Sequence, residues 1–242
     1  MIIGSHDSTT YTFDYSISFW KRFHRWNVIR KISNTIPCVK KYVTAVGKCQ
    51  TFTIYQQLSM GIRALDIRVT YSNGVFYCSH TFCTVKFFDV LEEIRTFPVI
   101  EGDYIHVLIT NDFENRKSVS IGSEVAMLNM LPIKSHLKYY YNAITIDQPE
   151  NILRFPRVLW YNTRDPKNLK EKYEAEALEE DDILCAVLTP NCSGKFGLPS
   201  GLPVEYAKIL DVDDLVRDKP PFIVLYDFVS PANIRKKKNK IK

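Results

Sequence analysis

The sequence predicts an α/β protein with a mostly parallel sheet, open or closed into a TIM-type (β/α) barrel that is irregular or incomplete. Three observations lead there. Short runs of β-branched and aromatic residues alternate with stretches of helical spacing along most of the chain. The 242 residues, 45% apolar and 24% charged, suffice for one large core. Titratable residues recur inside or at the ends of the apolar runs, where a barrel gathers its chemistry.

The elements follow in order. MIIG opens a strand that gives way at once to His6 and Asp7. ISFWKRFHRWNVIRKI (17–32) mixes Phe19, Trp20, Phe23 and Trp26 with five Lys/Arg residues. It reads either as a first barrel helix with its rings turned inward or as a face for a lipid headgroup layer. ALDIRVTY (64–71) and VFYCSH (75–80) are two strands joined by a turn at Ser72-Asn73-Gly74. FFDVLEEIRTF (87–97) is a helix with Phe88, Leu91 and Ile94 on one face. DYIHVLITND (103–112) is a buried strand and SEVAMLNML (123–131) a helix. RVLWYNT (157–163) and DILCAVLTP (182–190) are strands around a helix, 166–180, that starts on Pro166. FIVLYDFV (222–229) is the last strand. Residues 1–235 form one expected domain, and 236–242 a basic tail.

Composition excludes several classes. No run approaches the roughly 18 apolar residues of a membrane span, and MIIGSHDS is too soon polar for a secretory signal. Six scattered cysteines form no CxxC or Cys/His ligand set, so reduced thiols and a cytoplasmic setting are expected. Much of the net charge of +5 lies in the tail RKKKNKIK, with no aromatic residue beside it for stacking on bases, so no nucleic-acid partner is expected. The acidic stretch EKYEAEALEEDD reads as a solvated helix face rather than a metal site.

The barrel rule selects His6 and Asp7 after the first strand, Asp66 and Arg68 within the second, and His80 at the end of the third. It adds Asp112 at the end of the fourth and Asp227 late in the last. Burying a charge inside an apolar strand, as at Arg68 or Asp227, is costly without a partner. Singly, each has a plainer reading: a polar turn, a satisfied histidine at a strand end, an ion pair, a barrel cap. His24, His106 and His136 join no pattern.

GSHDSTTY, then QQLSMGIRALDIRV, then a second histidine in FYCSHTF resemble the X-domain of phosphatidylinositol-specific phospholipase C, and IVLYDFVSP resembles that family's last strand. The resemblance covers about the first hundred residues and the last fifteen or so. In the calcium-dependent branch an Asn follows the first histidine and ELD lies on the second strand; here Asp7 and DIR (66–68) stand there, so the chain resembles the metal-independent branch. Thr9 and Thr81 stand where the family usually has glycine.

The resemblance implies a phosphodiesterase acting through a cyclic inositol phosphate. His6 would be the general base, His80 the general acid, and Arg68 the phosphate-stabilising cation. Asp227 would support His6 and Asp7 would support His80, as orienting carboxylates do in other His-Asp pairs. Asp66 would bond an inositol hydroxyl or hold Arg68. No metal ligand and no cofactor are implied, and Arg68 in place of the ELD ligands implies calcium independence. The implied partners are a phosphatidylinositol-type lipid and, peripherally, a membrane surface. The alternative is a catalytically inactive module that binds inositol lipids on the same barrel.

Overall fold

A computed structural model describes residues 2–17, 24–80, 82–111, 121–143, 146–161, 163–177, 179, 181–188, 204, 205, 207 and 222–231. Asp112, Cys192 and the basic tail lie outside the described residues.

Period-two patterning in the strands explains both the sheet and the site. β1 (Ile2–Ser5) lies parallel between β2 (Ala64–Ser72) and β9 (Ile223–Tyr226), with Gly4 opposite both Ala64 and Leu225. Successive side chains of a strand point to opposite faces. On β2, Leu65, Ile67 and Val69 enter the outer core beneath the helices, so Ala64, Asp66 and Arg68 face the barrel axis. On β9, Val224 and Tyr226 face out while Ile223 and Leu225 face in, and Asp227 continues the inward row. Gly4 precedes His6 by two in the same way. The inward rows therefore change together, in one layer, from an apolar floor to His6, Asp66 and Asp227.

The remaining parallel strands are β5 (Ile105–Asn111), β6 (Leu137–Tyr140), β7 (Val158–Leu159) and β8 (Ile183–Cys185). The parallel order is β6-β5-β2-β1-β9-β8-β7. Among the described residues, β6 is extended only by a bridge from Tyr140 to Leu153, and no pairing joins Leu153 to β7. The sheet is thus a curled, incomplete barrel.

β2 outruns its neighbour β1, whose pairing stops at Ser5–Leu65. From Val69 onward β3 (Val75–His80) pairs antiparallel with β2, and β4 (Phe82–Lys86) follows it. Val69 also pairs with Asn111 of β5, so β3 occupies the edge that β1 has left. The β2–β3 turn carries positive φ at Asn73 (51°) and Gly74 (80°), as a two-residue hairpin of matching twist requires.

The helices are α1 (His24–Thr35), α2 (Pro37–Gly47), α3 (Ile54–Ser59), α4 (Phe87–Thr96), α5 (Ile121–Asn129) and α6 (Pro166–Ala175). Pro37 and Pro166 sit in first turns, where no backbone N–H is needed, and Thr53 with Gln56 closes a capping box on α3. The face expected for α4 needs correction. Phe88 is 55% exposed, and Phe87, Val90, Leu91 and Ile94 pack inward at i, i+3, i+4 and i+7. Two adjacent phenylalanines fit a helical stripe equally well until Val90 joins Phe87. The regions 157–163, 166–180 and 182–190 contribute shorter elements than expected. The acidic stretch is not only a solvated face either: Asp182 is buried and accepts from Arg157 Nε and Nη2, at 2.9 and 2.6 Å. The five described cysteines are free thiols. No described helix is long and apolar enough to cross a membrane.

Candidate active site

The chain leaves β1 through a tight, buried turn. Ser5 and Ser8 share a 2.7 Å hydroxyl contact, and Thr10 returns both its amide and its hydroxyl to the Asp7 carbonyl. Asp7 itself sits at φ 44°, a left-handed conformation that Asp tolerates better than most residues. Its amide donates to Asp66 Oδ2 at 3.1 Å, so Asp66 fixes the turn that aims Asp7. Asp66 thus has a positioning role on the turn that its place in the sequence did not announce, and it also feels the Arg68 charge.

His6 Nδ1 lies 2.8 Å from Asp227 Oδ1. Because a carboxylate only accepts, Nδ1 carries the proton and the reactive nitrogen of the neutral ring is Nε2. Around Nε2 stand Arg68 Nη2 at 3.4 Å, Asp7 Oδ2 at 3.5 Å and Asp66 Oδ2 at 3.9 Å. Arg68 Nε reaches Asp7 Oδ1 at 2.8 Å as an ion pair rather than a directed hydrogen bond. His80 Nε2 lies 3.3 Å from Asp7 Oδ2, and its Nδ1 donates to the Gly47 carbonyl at 2.9 Å. The structure thus brings together His6, Asp7, Asp66, Arg68, His80 and Asp227. His6, Asp7 and Asp227 are nearly closed off, while Arg68 and His80 keep 24% and 23% of their side chains exposed at the mouth.

Burial opposes a charge on His6, yet the carboxylates of Asp7 and Asp227 outweigh it and hold the pKa well above the usual value. Burial alone would raise the Asp7 carboxyl; Arg68, His6 and His80 override it and bring Asp7 down to about 2. Asp66 moves the other way, raised by burial and by the neighbouring Asp7 charge. Two carboxylates in one pocket therefore behave oppositely, as separated environments make them do.

Sequence reasoning missed a strap between α2 and α3. Gln50 Nε2 donates to the carbonyls of His6 (2.8 Å) and Tyr226 (2.9 Å), while its Oε1 accepts from Val229 N at 3.2 Å. The Cys49 carbonyl accepts from Phe228 N at 2.7 Å, holding Phe228 at φ 48° beside Asp227. Positive φ on a bulky residue costs roughly 1–3 kcal/mol and persists only where its surroundings over-determine it. Gly47 likewise acts through its backbone. Trp160, just past β7, was also missed: its ring centroid is 6.3 Å from that of His6, and it forms a half-exposed wall of the mouth. The barrel rule could have found Trp160; nothing in GKCQ marks the strap.

No family model and no curated protein matches the chain. Solved structures do. The phosphatidylinositol-specific phospholipase C of Listeria monocytogenes aligns over 100% of this chain and 92% of its own, at 17% identity and a TM-score of 0.64. A variant of the Staphylococcus aureus phosphatidylinositol-specific phospholipase C covers 96% and 91% of the two chains at 14% identity and a TM-score of 0.56. A second structure of that enzyme, from work on its membrane binding, covers 96% and 90% at 13% identity and 0.53. The chain has the fold of the bacterial phosphatidylinositol-specific phospholipases C, as an incomplete α/β barrel.

Proposed function

We propose that the chain is a metal-independent phosphodiesterase that cleaves the glycerol-phosphate bond of phosphatidylinositol-type lipids through a cyclic inositol phosphate. The observation that carries it is the convergence on one barrel mouth of a carboxylate-held histidine (His6–Asp227, 2.8 Å), a guanidinium and a second histidine. His6 Nε2 takes the proton of the inositol 2-hydroxyl, whose oxygen attacks phosphorus. His80 gives a proton to the departing glycerol oxygen, so no charged leaving group is released. Arg68 faces the charge that develops on the phosphate, and Trp160 offers an apolar wall for the ring. His6 must lose a proton before it can act as base, so the reaction weakens on the acid side of its raised pKa.

Lipid access fits the hairpin of α1 and α2. Val28, Ile32 and Ile36 are exposed at intervals of four, with Lys31, Lys40 and Lys41 exposed beside them. Apolar groups beside lysines suit contact with an anionic headgroup layer. The basic tail as a separate segment, and a location on the cytoplasmic side, belong to the same proposal.

The test is product analysis on phosphatidylinositol and on its phosphorylated and glycosylated forms, with calcium or with EDTA. Cyclic inositol phosphate formed equally in both, and lost in His6→Ala and His80→Ala, is expected. Lipid binding without turnover on any of these lipids would establish the inactive module instead.

A further inference from the structure

We propose that the base pocket is also a binding site for a thiophilic divalent cation such as Zn2+, held by His6, Asp7 and Cys49, and that occupancy switches the site off. One donor atom from each of the three residues lies within 4.8 Å of the other two, and all three residues are buried. His6 Nε2 and Asp7 Oδ2 are 3.5 Å apart, and Cys49 Sγ and Asp7 Oδ2 are 3.9 Å apart. Tetrahedral zinc, with Zn–N and Zn–O of about 2.0–2.2 Å and Zn–S of about 2.3 Å, places its N and O donors about 3.4 Å apart and its O and S donors about 3.6 Å apart. These two pairs therefore need to close by only a few tenths of an ångström, and the His6–Cys49 pair lies within 4.8 Å.

The donor set is a mixed one of imidazole, carboxylate and thiol, which favours zinc or cadmium over calcium or magnesium. Asp7 and a Cys49 thiolate together balance a 2+ charge. His6 is already oriented by Asp227 through its other nitrogen, the arrangement that metal-bound histidines use. Two groups must yield, Arg68 beside His6 Nε2 and His80 3.3 Å from Asp7 Oδ2; both are partly exposed, so they can turn toward the mouth. The fourth position then opens to water from the mouth.

Binding breaks the Cys49 S–H bond, whose electron pair goes to the metal and whose proton goes to bulk water together with any proton on His6 Nε2; no electron changes hands. The inhibitory consequence rests on the proposed base role of His6, because the same Nε2 lone pair serves base and ligand. Binding itself does not depend on that role.

The experiment uses the full chain. Cd2+ titration should give one thiolate-to-cadmium ultraviolet band per chain, displaced by Zn2+. The band should be lost in Cys49→Ser and kept in Cys38→Ala, which removes an exposed thiol. X-ray absorption on the zinc-loaded parent, which needs no variant to fold, should show one sulfur at about 2.3 Å among N/O donors. A band that survives Cys49→Ser, no band in the parent, or a zinc shell with no sulfur or several overturns the proposal. In the activity arm, Zn2+ should abolish inositol-lipid cleavage and EDTA restore it. Binding without loss of turnover refutes the switch. A chain that binds zinc as described but cleaves no inositol lipid refutes the enzyme reading and leaves the metal site standing.

Discussion

Gly4→Ala tests whether the close packing of three strands sets the site. A Cβ on Gly4 would lie 2.6 Å from Leu225 Cδ2, 2.8 Å from Ala64 Cβ and 3.0 Å from the Ala64 carbonyl oxygen. The leucine can rotate away, but Ala64 and its carbonyl belong to the β1–β2 ladder and move only if the strands part. Ordinary carbon contacts begin near about 3.5 Å, so the strands must separate by about 0.7 Å. One extra methyl in a close-packed core costs about 1–3 kcal/mol, or a fall in melting temperature of about 2–12 °C for a chain of this size. His6 follows Gly4 by two residues, just past the end of β1, while Asp66 and Arg68 ride on β2. A displacement approaching 1 Å between reacting groups costs about 100-fold in rate, so turnover should fall by roughly 10- to 100-fold even well below the melting point. Gly102→Ala is the control, because Gly102 has φ 83° with nothing within 4 Å of an added Cβ. It should lose stability through backbone strain and keep its turnover. Differential scanning fluorimetry and initial rates on phosphatidylinositol, read side by side, decide the matter. A Gly4→Ala protein that melts with the parent and turns over normally would refute the reasoning.

Three further outcomes follow from the site and the floor beneath it. Asp227→Asn should lower kcat by about 10²–10⁴ and move the acid limb of kcat/KM to lower pH, measured with EDTA present, because it removes one of the carboxylates that hold the His6 pKa high. Arg68→Lys should lower kcat by about 10²–10³ with little change in KM: one ammonium cannot keep both the 2.8 Å contact to Asp7 and the 3.4 Å contact to His6. His106, pushed down to about 4 by burial and by the Lys138 charge, is neutral in the fold but protonates in the unfolded chain below its ordinary value of about 6.5. The unfolded state then binds more protons, so stability is lost as pH falls from about 6.5 to about 4; urea midpoints across that range should drop in the parent and flatten in His106→Phe.

The sheet was legible because its strands obey a simple period. Ala64, Asp66 and Arg68 are spaced by two, as are Leu225 and Asp227, and the turn at Asn73-Gly74 announces its hairpin. Six of the seven residues that the barrel rule selects fall into one pocket: Asp66, Arg68 and Asp227 by that period, His6 and Asp7 by the turn after β1, His80 by the end of β3; Asp112 lies outside the described residues. What stayed hidden has a common cause as well. Gly47, Cys49 and Gln50 act through carbonyls or through an amide that reads other carbonyls, and backbone acceptors leave no mark on a sequence. LKYY is too short to show a period, whereas β7 falls inside the expected strand 157–163 and is only shorter than it. In α4 the choice between Phe87 and Phe88 was settled by the outer core, which local spacing does not contain.

The incomplete barrel does not weaken the site, and the strand order explains why. His6, Asp66, Arg68, His80 and Asp227 come from β9, β1, β2 and β3 or their ends, a contiguous run in the middle of the parallel order with β3 paired to β2. The unpaired ends, β6 with Leu153 and β7, lie at the two extremes of the parallel order. The distance between His6 and Asp227 is set by the β1–β9 register, which runs unbroken from Ile2–Ile223 to Ser5–Tyr226. Gln50 then locks that register at its far end by binding the carbonyls of His6 and Tyr226 together. Among the described residues no ladder joins β6 to β7, and this gap adjoins the wall where Trp160 stands, away from the β1–β9 register that sets the His6–Asp227 pair. Width of the mouth and geometry of the His6–Asp227 pair are therefore governed by different strands, and on the proposed function substitutions at the seam should alter KM before kcat.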